Sequence, residues 1–490
     1  MKNLDPDAVR GVVEAVMARL AEHGGRKPSA AAPAAPGRAP AGGGSGGGRH
    51  GVFGCPDRAA EAAREAFLRL KKLGKEGRSK VVDIVKSMCT ANAEPWGKFE
   101  LDETKIGRLD HKIEKLQIIR NVPGVEWLRP DAMSGDGGIT LEEYAPFGVI
   151  GAILPVTHSI PTLSGNVVNM VAAGNAVVFN PHPGGARSAA LAVEAFNKAI
   201  EREIGIENLI CTVAEPSLES FAAICKHPLI PLMAITGGPA VVRAAMKSGK
   251  RSICAGPGNP VVVVDETANL AKAAKHVIQG GGYDNNLLCI GEKVVFVVQQ
   301  VFDRFMEELA RAGAVKLDAG ALERLTAAAF TFRKDDGGCS HAAVNRDFIG
   351  KDPEVLARAA GVTLPAGTPL LFAATDADHP FVQEEQMMPM IPVVRVPDFE
   401  TGVREAKRAE HGYGHSSIIH SMNVEHMTTM AKELDTTIFV KNGPCVAGLG
   451  LGGEGYLSYS IATTTGEGIT TPKTFTRIRR CVMVENLHIV

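Results

Sequence analysis

AVVFNPHPGGARSAALAVEAFNKAIEREIGIENLICTV, residues 176–213, decides the fold class. Ala176–Phe179 is a short apolar run. Arg187–Ile204 then has helical composition, with apolar and charged side chains interleaved, and Leu209–Val213 turns apolar again. A strand, a helix and a second strand in that order predict a parallel pair with the helix lying across one face. The alternation extends outward. Val149–Leu154 precedes the unit, and Leu232–Thr236 follows it, leading into a helical segment at Pro239–Lys247. A second such pattern begins after residue 260, with runs at Val261–Val264, Lys293–Val298 and Ile391–Val396. Strands that read as unbroken apolar runs are covered on both faces, so the expectation is an α/β protein built on mainly parallel sheets. Residues 58–120 are charged and helical with Pro and Gly breaks, and Thr474–Val484 reads as one more strand.

A chain of 490 residues has room for two or more folded units, and 45% hydrophobic residues suffice for a large core. The net charge of -1 supplies no field to hold nucleic acid or an acidic membrane surface. The nine cysteines are odd in number and contain no CxxC pair, which suggests neither a disulfide framework nor a thiolate zinc site. No apolar run is long enough to span a bilayer, and the first residues do not form a signal peptide. A reducing, cytoplasmic setting is expected.

The first segment, 1–23, is an amphipathic helix on paper. Val9, Val12, Val13, Val16, Met17 and Leu20 form one stripe, Asp5 and Pro6 suit the start, and Gly24 the end. Residues 24–51 collapse into Ala, Pro, Gly and Ser and read as a flexible tether reaching about 30 Å. An apolar stripe on a leash needs a partner surface, either its own subunit or a groove on another protein.

Several motifs bear on chemistry. Two GxGxxG matches, at Gly42, Gly44 and Gly47 and at Gly448, Gly450 and Gly453, lack the strand before and helix after that a dinucleotide fingerprint requires. Thr236-Gly237-Gly238 ends a strand just before a helix, where backbone N–H groups can receive a pyrophosphate. His411 and His415 are four apart, but the intervening Gly-Tyr-Gly argues against a helical metal site, and no metal is expected. Cys289 sits where polar residues run into an apolar strand, a position open to either a buried hydrophobe or a nucleophile.

Eight blocks, in order, carry a resemblance: GAILPVTHSIPT, AAGNAVVFNPHPG, AITGGP, AGPGNPVVVVDETANL, DNNLLCIGEK, EEQMMP, EHGYGHSS and GLGGEGYLSYSIATTTGEG. From about residue 58 onward the chain resembles the aldehyde dehydrogenase superfamily, in particular the CoA-acylating propionaldehyde and acetaldehyde dehydrogenases of bacterial microcompartments. The N-terminal helix and tether resemble that group's encapsulation peptide. The resemblance implies a Rossmann-type cofactor domain over 58–255, with an oligomerisation hairpin near 125–146. It also implies an α/β catalytic domain over 256–465 and a C-terminal strand over 466–490 that completes a β arm. A homodimer or homotetramer is expected.

The resemblance makes Cys289 the nucleophile, with a pKa expected below the free value of about 8.5 because the thiolate is the working form. It implies NAD and coenzyme A as cofactor and co-substrate. Thr236, Gly237 and Gly238 would lie by the pyrophosphate, Asn180, Pro181 and His182 by the adenosine ribose, and Glu385 by the nicotinamide ribose. Pro183 replaces the acid that relatives use to favour a free 2′-hydroxyl. His158, after Pro155-Val156-Thr157, occupies the place of the oxyanion-hole Asn and is expected to donate in its stead. Water-using relatives carry a Glu in a stretch that here reads Cys254-Ala255-Gly256-Pro257-Gly258. Without that base water is a poor acceptor and a thiol a good one. The expected product is therefore an acyl-CoA, from propionaldehyde by preference or acetaldehyde, inside a microcompartment lumen. The alternatives are a hydrolytic or acyl-phosphate-forming dehydrogenase and an inactive microcompartment scaffold.

Overall fold

The computed structural model describes residues 50–334 and 340–489. The proposed targeting helix at 1–23 and most of the tether at 24–51 lie outside the described residues. The tether ends earlier than expected: the Gly51 carbonyl accepts the Thr212 N–H at 2.8 Å, leading directly into a short strand. A low-complexity glycine at the end of a linker gives no sequence sign of that pairing.

That strand is β1 (Val52–Phe53), followed by helices α1 (Pro56–Ala91), α2 (Ala93–Thr104) and α3 (Leu109–Gln117). A hairpin, β2 (Asp131–Gly135) and β3 (Gly138–Pro146), leads into β4 (Val149–Leu154), α4 (Ser159–Ala172), β5 (Ala176–Pro181) and α5 (Ala186–Ile204). Next come β6 (Ile210–Val213), α6 (Leu218–Lys226), β7 (Leu232–Thr236), α7 (Pro239–Met246) and β8 (Arg251–Ala255). All of these strands except the hairpin form one parallel sheet in the order β1-β6-β5-β4-β7-β8. The order reverses at β4, which has β5 on one side and β7 on the other. Ligands of such sheets sit outside the carboxyl ends of the strands at that reversal. His158 follows β4, His182 follows β5, and Thr236 ends β7, so all three lie on that edge.

The second sheet opens with β9 (Val261–Val264), reached after five residues from β8. Helix α8 (Leu270–Gly281) and β10 (Val294–Val298) follow, then β11 (Val315–Lys316) and an antiparallel hairpin of β12 (Phe330–Lys334) and β13 (Ser340–Val344). Strands β14 (Leu371–Thr375), β15 (Met390–Val396), β16 (Ser416–His420) and β17 (Ile438–Lys441) complete a parallel sheet ordered β11-β14-β15-β10-β9-β16-β17. Val261–Val264 and Val294–Val297 are fully buried, which is why they read as unbroken apolar runs. The C-terminal strand Thr476–Val484 pairs antiparallel with β3 along nine positions, giving a three-stranded sheet with the hairpin. Ile478, Val482 and Val484 on it are more than half exposed, as is Met133 on β2.

Candidate active site

Cys289 lies between the end of α8 and the start of β10. The approach to it is an unusual turn: Asp284, Asn285 and Asn286 have φ of 49°, 56° and 63° in succession. Asp and Asn are among the non-glycine residues that tolerate this left-handed region best, so the DNN run has a conformational reason. Lys293 fastens the other side. Its buried ammonium donates to the carbonyls of Asn286 at 3.1 Å and Leu288 at 2.9 Å, and to the Asn286 side-chain oxygen. Its backbone N–H reaches the Pro260 carbonyl at 3.0 Å, which ties the cysteine loop to the start of β9.

Strands β15, β10, β9 and β16 are neighbours, and the residues before their first positions converge. This brings Glu385, Cys289, Gly258 and His415 to one edge. A Cβ on Gly258 would stand 2.7 Å from the His415 ring and 3.0 Å from the Cys289 carbonyl oxygen, so only glycine allows this approach. His415 is buried with Nδ1 2.8 Å from the Ser416 hydroxyl; burial and then Lys293 pull its pKa down to about 4. It is neutral at pH 7. Burial pushes Glu385 up to about 7, opposed by Lys293 and by the Gly258 N–H that its carboxylate accepts.

The depressed pKa expected for Cys289 is overturned. Burial and the Glu385 carboxylate push the thiol up to about 12, and Lys293 with the N–H groups of Cys289 and Ile290 only partly offset them. Desolvation dominates because one ammonium is shared among several acceptors. The resting nucleophile is therefore a thiol that has to lose its proton during attack.

His158 ends the connection from β4 and precedes α4. Its ring is buried, Nε2 lies 3.4 Å from the Thr157 hydroxyl, and Nδ1 has no protein partner. Burial, then the charges of Lys115 and Lys112, hold it well below the usual histidine range. A neutral imidazole with an unused ring nitrogen can donate to a ligand oxygen.

The remaining predicted residues divide by what their side chains are doing. Gly238 precedes α7 with open space where a Cβ would stand, and the Gly237 N–H bonds the Ala255 carbonyl at 3.3 Å. The Thr236 hydroxyl meets the Ser460 hydroxyl at 3.0 Å. This open helix start on the switch-point edge fits a pyrophosphate. Asn180 is spent internally: its oxygen accepts the Ser220 hydroxyl at 2.6 Å, within the cap of α6. Pro181 is the last residue of β5, and His182 Nδ1 accepts the Gly184 N–H at 3.0 Å. In the stretch matched to the missing base, Cys254 is buried and pushed up to about 11 by burial and Glu467. A Cβ on Gly256 would stand 2.4 Å from the Thr464 hydroxyl oxygen, so no side chain fits there without displacing it.

Sequence reading missed Lys293 and set His415 aside with a metal question. Both lie inside quoted blocks, but their nearness to Cys289 arises only when four strands align. Among the described residues, Asp265, Glu266 and His426 bring three ligand-type atoms within 4.8 Å of one another. They lie past the far end of β9, where Asp265 is already bonded by Thr267, Ser421 and His426.

Comparison with known proteins accords with this geometry. The aldehyde dehydrogenase family pattern matches residues 55–455. A propanal dehydrogenase (CoA-propanoylating) of Salmonella typhimurium is 41% identical over 441 residues, covering 90% of this chain and 93% of the relative. The acetylating acetaldehyde dehydrogenase EutE of the same organism is 42% identical over 442 residues, covering 90% and 94%. Among solved structures, a Rhodopseudomonas palustris propionaldehyde dehydrogenase with bound CoA and an acylated cysteine superposes with a TM-score of 0.86. It is 40% identical, covering 90% of this chain and all of that one. A propionaldehyde dehydrogenase from the Clostridium phytofermentans fucose utilisation microcompartment gives a TM-score of 0.86 at 41% identity, with the same coverage.

Proposed function

The chain belongs to the aldehyde dehydrogenase family, and from that premise we propose that it converts a short-chain aldehyde, NAD and CoA into acyl-CoA and NADH through a thioester on Cys289. One observation carries the choice of acceptor: a half-buried thiol at the meeting edge of two sheets, with no carboxylate in Cys254–Gly258 and Thr464 filling the space beside Gly256. The CoA-acylating relatives support the same reading. Propionaldehyde is the preferred substrate, because both structural neighbours described are propionaldehyde dehydrogenases.

In this mechanism Cys289 sulfur adds to the aldehyde carbon as its proton passes to water in the cleft. The oxygen so formed receives N–H groups from His158 and from the Cys289 backbone, two donors fixed before the charge develops. The Thr236–Gly238 turn would hold the pyrophosphate of NAD and Glu385 its nicotinamide ribose, and the oxidised nicotinamide would supply the hydride acceptor. The CoA thiol then attacks the acyl carbon, the bond to Cys289 breaks, and the incoming thiol's proton passes by way of His415 to the departing Cys289 sulfur. One thioester replaces another. Asn180 supports the cofactor edge through α6.

A stopped-flow comparison tests the acceptor. With CoA withheld, about one NADH per active site is expected in a burst, followed by a rate at least about 100-fold below that with CoA, as loss of general-base help implies. Sustained NADH formation without CoA would make the enzyme a hydrolytic dehydrogenase.

No described helix is long and apolar enough to cross a membrane. We assign the chain to a microcompartment lumen, with residues 1–23 as the docking segment. The exposed apolar face formed by the hairpin and Thr476–Val484 is assigned to a homo-oligomer, since such a surface invites pairing. Deleting residues 1–23 is expected to leave turnover and gel-filtration size unchanged while the protein no longer co-purifies with shells. Full retention in shells would remove the docking role, and a monomeric full-length chain would remove the arm.

A further inference from the structure

The turn before Cys289 holds three consecutive non-glycine residues in the left-handed region, and each is fastened to a different part of the molecule. Asn286 donates to the Glu292 carbonyl at 2.9 Å and accepts from Lys293. Asn285 donates to the Gly350 carbonyl at 3.1 Å and to Asp352 at 2.8 Å. Asp284 is held from α3 and its approach. One carboxylate oxygen accepts the Arg108 N–H at 2.8 Å, the other the Lys115 ammonium at 2.5 Å, and its own N–H donates to His111 Nδ1 at 2.8 Å. Both charged side chains are fully buried. Gly107 makes the contact possible, since a Cβ there would stand 2.3 Å from the Asp284 oxygen. The Tyr459 hydroxyl donates to the Lys115 carbonyl at 2.9 Å, and Lys112 is paired with Glu100 at 2.9 Å one turn away. Glu100 in turn accepts the Ile160 N–H at 2.8 Å, two residues beyond His158.

We infer that the Lys115–Asp284 pair is a buried latch that holds the left-handed turn closed and so keeps Cys289 at the reacting position, which makes Lys115 a positioning residue for the nucleophile. A turn of sparsely populated backbone persists only where its surroundings over-determine it. Of the three anchors, only the Asp284 one joins two full charges away from water. Removing one partner leaves the other buried and unpaired, and the nearest relief is for the turn to open toward solvent. The same α2–α3 network touches the helix that begins beside His158, so one latch serves both sides of the reacting carbon.

The inference rests on Cys289 being the nucleophile, and its test does not require turnover. The full-length chain is treated with iodoacetamide at pH 8, and alkylation is followed at each cysteine by peptide mass spectrometry. Cys89 and Cys211 are buried and report global unfolding. In Lys115→Met, Cys289 is expected to react at least about 10-fold faster, because a solvated thiol ionises more readily, while Cys89 and Cys211 stay protected. Turnover is expected to fall about 100-fold, as small misplacements do, with the KM for CoA within about twofold. The neutral pair Lys115→Gln with Asp284→Asn is expected to bring the Cys289 rate back to that of the wild type. If Lys115→Met does not fold, Asp284→Asn alone is expected to show the same split. An unchanged Cys289 rate in a folded variant, or Cys289, Cys89 and Cys211 becoming reactive together, overturns the latch. Persisting activity in Cys289→Ser overturns the nucleophile instead.

Discussion

Cys289→Ser is expected to lose at least about 10⁴-fold in aldehyde-dependent NADH formation, the scale seen when a covalent nucleophile is removed. The hydroxyl is a far weaker nucleophile than the thiol, Cys254 is buried, and no carboxylate in Cys254–Gly258 can activate water in its place. Nucleotide binding should survive, because the Thr236–Gly238 turn belongs to the other sheet. In the wild type, aldehyde and NAD without CoA should leave one acyl group on the Cys289 peptide. The pH dependence has a definite sign. Because the thiol of the cofactor-free chain stands at about 12, its alkylation rate should keep rising from pH 7 to about 10 without a plateau. Saturation near pH 8 would mean that Lys293 outweighs burial and Glu385. A Cys289→Ser protein that still makes NADH at a tenth of the wild-type rate would end the covalent mechanism.

His158→Ala is expected to lower acylation of Cys289 by about 10²–10³-fold, the range for loss of one preorganised oxyanion donor. The ring is already neutral and buried, with Nδ1 lacking a protein partner. It needs no titration or side-chain movement to serve. Binding of aldehyde in the ground state should change little, so the loss should fall on the single-turnover burst and not on KM. His158→Asn, which restores the amide of other family members, should recover activity to within about 10-fold of wild type. The measurement is the NADH burst rate with CoA withheld. A burst in His158→Ala within threefold of wild type would show that His158 only packs beside Tyr459, whose ring centre lies 5.9 Å away.

Both predictions concern residues legible in the chain, but not to the same depth. Cys289 stands out in DNNLLCIGEK once the ordered blocks are seen together. His158 stands out only through the resemblance, which aligns it with an oxyanion-hole Asn. The fold was equally legible. Val149–Leu154, Leu232–Thr236 and Val261–Val264 form strands at the bounds their composition suggests, because a strand buried on both faces cannot hide its apolar run. The pairing of Gly51 with Thr212 was not legible, because a backbone bond leaves no mark in a glycine-rich tether.

Apolar runs therefore determined, without coordinates, that mainly parallel sheets form and where their central strands lie, since burial acts locally on each residue; the outer strands β1, β8 and β11 carry no such run. Residue identity determined that a cysteine stands in DNNLLCIGEK and that no carboxylate stands in Cys254–Gly258. Tertiary structure alone decided the protonation of that cysteine and the company it keeps. The pKa of Cys289 is a sum over desolvation and charges contributed from residues 293 and 385. The lock on its turn comes from Lys115, 169 positions from Asp284. Electrostatic energy depends on distance and dielectric in three dimensions, and sequence separation carries neither.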